Sequence, residues 1–194
     1  MTKKPAWMST LILVLFITPV AAKDLFRRPL PTYLGVYKFY DHAGKDWGCG
    51  GTRYAGHRGT DFKANMGTSI QAGSGGSLYY RYDGCSSTGF FGSTCGNGFG
   101  NHAKIRHVDG RVTIYAHMQS GTVIWPSSVM CGATIGKSGS SGSSSTPHLH
   151  FELWSDTAAS ARLDPYKGAC DSVQTTDWRT QGTYPSGDVG TSCY

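Results

Sequence analysis

From the mid-fifties to about residue 155, polar and apolar positions alternate in short stretches bounded by glycine, serine and Asp-Gly pairs. This is the pattern of short β-strands. The clearest stretch is His148-Leu149-His150-Phe151-Glu152-Leu153-Trp154. Its strict alternation predicts a strand with Leu149, Phe151 and Leu153 on a core-facing side and His148, His150 and Glu152 together on the other. Ser77 to Tyr82 reads as a second strand ending at Asp83-Gly84. The stretches 101–108 and 111–118 flank Asp109-Gly110, the signature of a hairpin with a two-residue turn. In its second strand Val112, Ile114, Ala116 and Met118 should point one way, and Thr113, Tyr115 and His117 the other. Residues 136–146 are almost entirely Gly and Ser. They run straight into the strand at 148, which favours a tight loop over an interdomain linker.

Composition supports this picture. The 194-residue length suits one domain, and 27 glycines with only 15% charged residues disfavour long surface helices. The expected fold is mainly β: a small antiparallel sheet or sandwich core with a loop-rich periphery stapled by disulfides. Residues 1–22 read as a secretory signal peptide, with Lys3 and Lys4, an apolar run from Leu11 to Ile17, and Val20-Ala21-Ala22 at the cut. The alternative, an uncleaved anchor, meets a run shorter than the roughly 20 residues a membrane helix needs. Residues 23–49 read as a wrapping segment, 50–166 as the main domain and 167–194 as a disulfide-tethered tail.

Removing the leader lowers the formal charge from +6 to +4. That suits an anionic envelope polymer, and ordinary solubility equally well. Basic residues form no stripe, so nucleic acid is not an expected partner. Six cysteines in the exported part imply disulfides and an oxidising compartment. Nearest-neighbour reasoning suggests Cys85–Cys95 and Cys170–Cys193, leaving Cys49–Cys131. A cysteine zinc site is the competing reading, and the absence of any C-x-x-C pair counts against it.

The chemistry concentrates in two segments. His57-Arg58-Gly59-Thr60-Asp61 offers a nitrogen and an oxygen ligand four residues apart, and His148 to His150 places two imidazoles on one strand face. A catalytic zinc prefers three such ligands and an open fourth position. Each segment alone is a modest signal, and their combination with His117 and an export leader is a strong one. His102 and His107, on opposite faces of the predicted hairpin strand, are expected to be structural or surface residues. Tyr54, Tyr79, Tyr80, Phe90, Phe91 and Trp154 could line a groove, although aromatics in a small β domain more often fill its core.

The chain resembles the lysostaphin-type, LytM-like zinc metallopeptidases, a family of peptidoglycan endopeptidases also described by a duplicated hybrid motif. The resemblance rests on His57-Arg-Gly-Thr-Asp61-Phe62, Gly67-Thr68 to Ala72, Gly100-Asn101, Ile105-Arg-His107-Val-Asp-Gly110, Tyr115-Ala-His117-Met118, Ile135-Gly136-Lys-Ser-Gly139, Thr146-Pro-His148-Leu-His150-Phe-Glu152-Leu and Asp164-Pro165. It implies a groove across a small antiparallel sheet and one zinc held by His57, Asp61 and His150. It also implies His117 and His148 as catalytic histidines, with their roles undivided. Glu152 would either orient a histidine or be solvated. The implied substrate is a peptide bond of bacterial peptidoglycan, cut by a monomer in the periplasm or outside the cell, with no membrane span after leader removal. Two other readings are kept: a secreted protease acting on Gly-rich proteins or a competitor's wall, and a wall-binding regulator without activity. The loop at 85–95 and the tail with Cys170 and Cys193 depart from the family's pattern and bear on substrate preference.

Overall fold

The computed structural model describes residues 23–42, 54–124, 126–168, 175–186 and 188–194. The proposed leader, together with Cys49 and Cys170, lies outside the described residues. Ten strands follow in chain order: β1 Val36–Lys38, β2 Thr60–Lys63, β3 Ser69–Gln71, β4 Gly76–Tyr82, β5 Asn101–Arg106, β6 Val112–Met118, β7 Ser128–Val129, β8 Thr134–Lys137, β9 His148–Trp154 and β10 Arg162–Leu163. The fold is mainly β and antiparallel, as expected. One sheet runs β1-β2-β9-β6-β5-β4-β7, with β10 on the far end of β9, and β3 and β8 form a second, two-stranded sheet. No described helix is long and apolar enough to cross a membrane.

Strand β9 is the axis of the fold. Leu149, Phe151 and Leu153 are buried in the main core with Phe62, Ile70, Tyr115, Ile135 and Trp178. The opposite face of β9 carries His150 and Glu152, then Trp154 in a small satellite cluster with Val112, Ile114 and Ala116. Burying each large apolar side chain contributes roughly 1.5–3 kcal/mol, so one row of β9 anchors the strand while the other is free for polar work.

The hairpin between β5 and β6 differs from its sequence reading. His107 N–H donates to the Arg111 carbonyl (2.9 Å), which leaves Val108, Asp109 and Gly110 as a three-residue loop. Gly110 adopts φ +88°, the left-handed position such loops require. The Asp109 side chain is occupied elsewhere, accepting from Asp24 N–H and Arg111 Nε–H.

The segments at the two ends of the described chain enter the same core. Phe26 and Trp178 are fully buried and bridge each other, and Arg111 ties Asp109 to Asp177. Two disulfides lie among the described residues. Cys85–Cys95 is the expected one. Cys131–Cys193 replaces the expected pairings of both its members. Nearest-neighbour pairing fails because the end of the tail meets the β7–β8 turn, 62 residues away in sequence. The loop at 136–146 is packed, with Ser138, Ser140, Ser141 and Ser144 all buried.

Trp178→Ala should therefore destabilise the protein by about 3–5 kcal/mol in a chemical denaturation series, the usual cost of truncating a core aromatic. A change below about 1 kcal/mol would show that the tail is an appendage.

Candidate metal centre

The register of two strands brings the candidate ligands together. In the β2–β9 pair Asp61 lies opposite His150, and Lys63 lies opposite His148. Residues directly opposite in an antiparallel pair project from the same face about 5 Å apart. His57 arrives from the turn before β2. That turn presses against β9 so closely that a Cβ on Gly59 would sit 2.5 Å from the Phe151 carbonyl oxygen and 2.8 Å from the His150 ring. The glycine in H-R-G-T-D thus lets the first ligand reach the other two.

Three ligand atoms converge. His150 Nδ1 is 2.8 Å from Asp61 Oδ1, His57 Nε2 is 3.1 Å from the same oxygen, and the two nitrogens are 3.3 Å apart. Each histidine is held from behind. His57 Nδ1–H donates to the Phe39 carbonyl (2.7 Å), and His150 Nε2–H donates to Glu152 Oε1 (3.1 Å). Those bonds fix the tautomers so that both inward nitrogens present lone pairs. Two lone pairs and a carboxylate, all buried and all aimed at one point, form a set of acceptors that only a cation or a proton can satisfy. Bonds of about 2.0–2.1 Å in a tetrahedral zinc site imply ligand separations of roughly 3.3 Å, so the observed triangle fits this metal. Without a metal, a proton fills the role. Burial opposes the charged form of His150, but hydrogen bonds to Asp61 and Glu152 outweigh it and push its pKa up to about 10. Burial likewise opposes the Asp61 charge, yet the hydrogen bond from the His150 imidazolium and the close His57 ring hold its carboxyl well below the usual range.

Two further histidines border this point. His148 Nε2 lies 3.6 Å from Asp61 Oδ1, while its Nδ1–H donates to the Thr146 carbonyl (2.7 Å). His117 Nδ1–H donates to the Ser141 carbonyl (2.7 Å), and its ring centre is 4.8 Å from that of His148. Burial lowers the pKa of both, that of His117 to about 3, helped by the neighbouring histidine charges. Both rings are therefore neutral near pH 7, with Nε2 available as an acceptor.

His117 reaches this site by a backbone irregularity that alternation hides. Ala116 pairs with His150 on the site face, and Tyr115 pairs with Phe151 on the core face. The next residue in a regular strand would follow Tyr115 into the core. Instead His117 adopts φ +60°, and the β5–β6 register slips between Asn101 and Ala103. This bulge turns His117 onto the site face and sends Met118 into the main core, away from Val112, Ile114 and Ala116. The predicted faces of His117 and Met118 are thus both reversed, because a left-handed residue breaks the period of two. The bulge is held by His117 N–H donating to the Phe99 carbonyl and Gly139 N–H donating to the His117 carbonyl.

The five residues predicted from sequence thus all meet at one place. Asp61, His117 and His148 line a cleft of about 300 Å³. Tyr37, Lys38, Tyr54 and Phe91 complete its walls, with Ser143 to Thr146 between them. Tyr54 also stacks on His57, ring centres 4.5 Å apart. Tyr37 and Lys38 escaped the sequence reading because the wrapping segment shows no period; the pairing of Lys38 with Asp61 is what places them. Glu152 is buried and bonded to His150, which settles its orienting geometry. His102 and His107 are structural, each donating Nδ1–H to a backbone carbonyl. Tyr79 and Tyr80 remain partly exposed, and Trp154 is buried.

The sequence profile described as Peptidase family M23 matches residues 55–165, more than half of the chain. The chain belongs to this family. It is 42% identical over 55 residues to the cell division protein DipM of Caulobacter vibrioides, and 44% identical over 55 residues to the DD-carboxypeptidase/endopeptidase Mpg of Neisseria meningitidis serogroup B. Those stretches cover 28% of this chain but only 9% and 13% of the respective relatives, so the chain spans a small part of each. Among solved structures, the catalytic domain of the prophage-encoded M23 protein EnpA from Enterococcus faecalis is 26% identical, with a TM-score of 0.52 over 72% of this chain and 95% of that one. A zinc containing peptidase from Vibrio cholerae shares the fold at 20% identity and a TM-score of 0.53, over 73% of this chain and 39% of that one.

Two outcomes follow from the geometry. Glu152→Gln should weaken metal affinity by about 10–100-fold in a competitive chelator titration, because the amide orients His150 less firmly; unchanged affinity would contradict that role. His117→Gly should be more stable than His117→Ala by about 1 kcal/mol in chemical denaturation, since glycine adopts positive φ without strain. Equal stabilities would argue against the bulge.

Proposed function

We propose that this member of peptidase family M23 is an exported zinc metalloendopeptidase that hydrolyses peptide bonds in bacterial peptidoglycan, with His57, Asp61 and His150 holding the metal and His117 and His148 handling protons. The observation that carries the proposal is the convergence of two back-braced imidazoles and the Asp61 carboxylate beside two neutral histidines at one cleft. The relative Mpg, a DD-carboxypeptidase/endopeptidase, supports a peptidoglycan peptide as substrate. The leader read from sequence and the two disulfides support export to an oxidising compartment.

Bound by these three residues, a zinc ion supplies Lewis acidity, acidifying water and polarising a carbonyl. The chain's own residues do the rest. The cleft between the Tyr37–Lys38 wall and the Phe91 wall positions an extended peptide over the ligand face. His117 and His148 each keep Nδ1–H on a backbone carbonyl, so each presents Nε2 to the reacting atoms. A proton taken from the attacking water onto Nε2 is returned to the leaving amine, which completes hydrolysis without net proton change. Asp61 offsets part of the metal's charge, and Glu152 keeps His150 aligned.

Oxidised mature protein loaded with zinc should release new amino groups, and no reducing sugar ends, from purified sacculi. His148→Ala should lower the rate by at least about 100-fold while retaining zinc. A folded, zinc-loaded protein that releases nothing would overturn the proposal.

A further inference from the structure

The sheet face that carries Asp61 and His150 extends beyond the cleft to a cluster that the hydrolytic chemistry leaves unused. Ile114 pairs with Glu152 on one side and Lys104 on the other, so Lys104 shares the face of Glu152. Arg162 pairs with Trp154 at the end of β9. The Lys104 ammonium sits 4.5 Å from the ring centre of Trp154, 5.1 Å from Tyr80 and 5.8 Å from Phe99. The Arg162 guanidinium lies 4.6 Å from the centre of the same indole. Two cations therefore share one tryptophan.

Their charge is poorly matched by the protein. Among the described residues the carboxylate beside them is Glu152, which is committed to His150 through Oε1 and to the Trp154 indole N–H through Oε2. Arg162 donates from Nη1 to the Ala159 carbonyl (3.1 Å), and its Nε lies 3.5 Å from Glu152 Oε2 without making a hydrogen bond. Among the described residues no carboxylate or carbonyl accepts from Lys104 Nζ. Aromatic rings attract an ammonium but supply no lone pair for its three N–H groups. A bound carboxylate would supply the acceptor that Lys104 lacks and a charge partner beside Arg162, in a setting where charge-assisted bonds are strong.

We propose that the Lys104–Trp154–Arg162 cluster is a subsite for a carboxylate of the substrate, which makes the enzyme prefer peptides with free carboxylates over amidated ones. The strand rise places Lys104, level with Glu152, roughly 7 Å and Trp154 roughly 13 Å from His150 along β9, so the cluster addresses a substrate residue about two to four positions from the cleaved bond. The inference rests on the peptidoglycan reading for its substrate, and on the cation pair for its chemistry.

The test uses a cross-linked peptidoglycan peptide with free carboxyl groups and the same peptide after chemical amidation, binding at equilibrium to the zinc-loaded mature protein. Native protein should bind the free form at least about tenfold more tightly. Lys104→Met keeps the aliphatic stem against the rings and removes only the charge, so it should bring the ratio close to one, while Lys104→Arg should retain it. Equal binding of both peptides by native protein, no binding of either, or an unchanged ratio in Lys104→Met would overturn the subsite. Cleavage is scored separately: peptides that bind with the predicted ratio and are never cut would sink the hydrolase reading and leave the carboxylate site standing.

Discussion

Three lone-pair donors aimed at one buried point cost free energy unless something positive sits there, and much of the local structure serves to hold them in place. His57 and His150 are each fixed by a hydrogen bond on the ring edge facing away from the centre, one to a backbone carbonyl and one to Glu152. Asp61 is fixed by strand register. Side chains free to rotate would turn their acceptors toward water. Here packing and back-side bonds deny that escape, so the arrangement is one that a bound cation would relieve. Gly59 removes the one side chain that would push His57 and β9 apart.

The scaffold gives this site rigidity by dividing β9 into two rows. The apolar row of Leu149, Phe151 and Leu153 binds the strand into a core that also takes in Phe26 and Trp178 from the two end segments. The polar row then inherits the rigidity of the core without contributing to it. The bulge at His117 is the counterpart on β6. A regular strand would have buried this imidazole among aromatics, and one left-handed residue moves it across the sheet to face His148. A non-glycine residue held at positive φ costs about 1–3 kcal/mol, and the bulge is the route by which this imidazole reaches the site.

What could be read in the sequence was whatever depended on local period or on spacing within a motif. The β9 strand was legible to the residue, because its alternation is unbroken and both faces are chemically distinct. The candidate triad was legible from residue type and from family resemblance, and the structure brings its three side chains together. The disulfide Cys131–Cys193 was not legible, since it depends on where a tail with no period travels. The face of His117 was misread for a different reason: a positive φ at a histidine leaves no trace in composition. Tyr37 and Lys38 were missed because strand pairing with Asp61, and not any motif, carries them to the cleft. The Lys104–Trp154–Arg162 cluster was hidden in the same way, since strand pairing brings Lys104 of β5 to Trp154 and Arg162, about fifty residues later in the chain.

The central claim is that one zinc is held by two imidazoles and one carboxylate in a chain that also carries six cysteines. Zinc-edge X-ray absorption on the loaded, oxidised protein tests it most directly. The account predicts only nitrogen and oxygen scatterers at about 2.0–2.1 Å, with an imidazole pattern for two histidines. A sulfur scatterer near 2.3 Å, or a spectrum unchanged by replacing His57 and His150 with alanine, would contradict it.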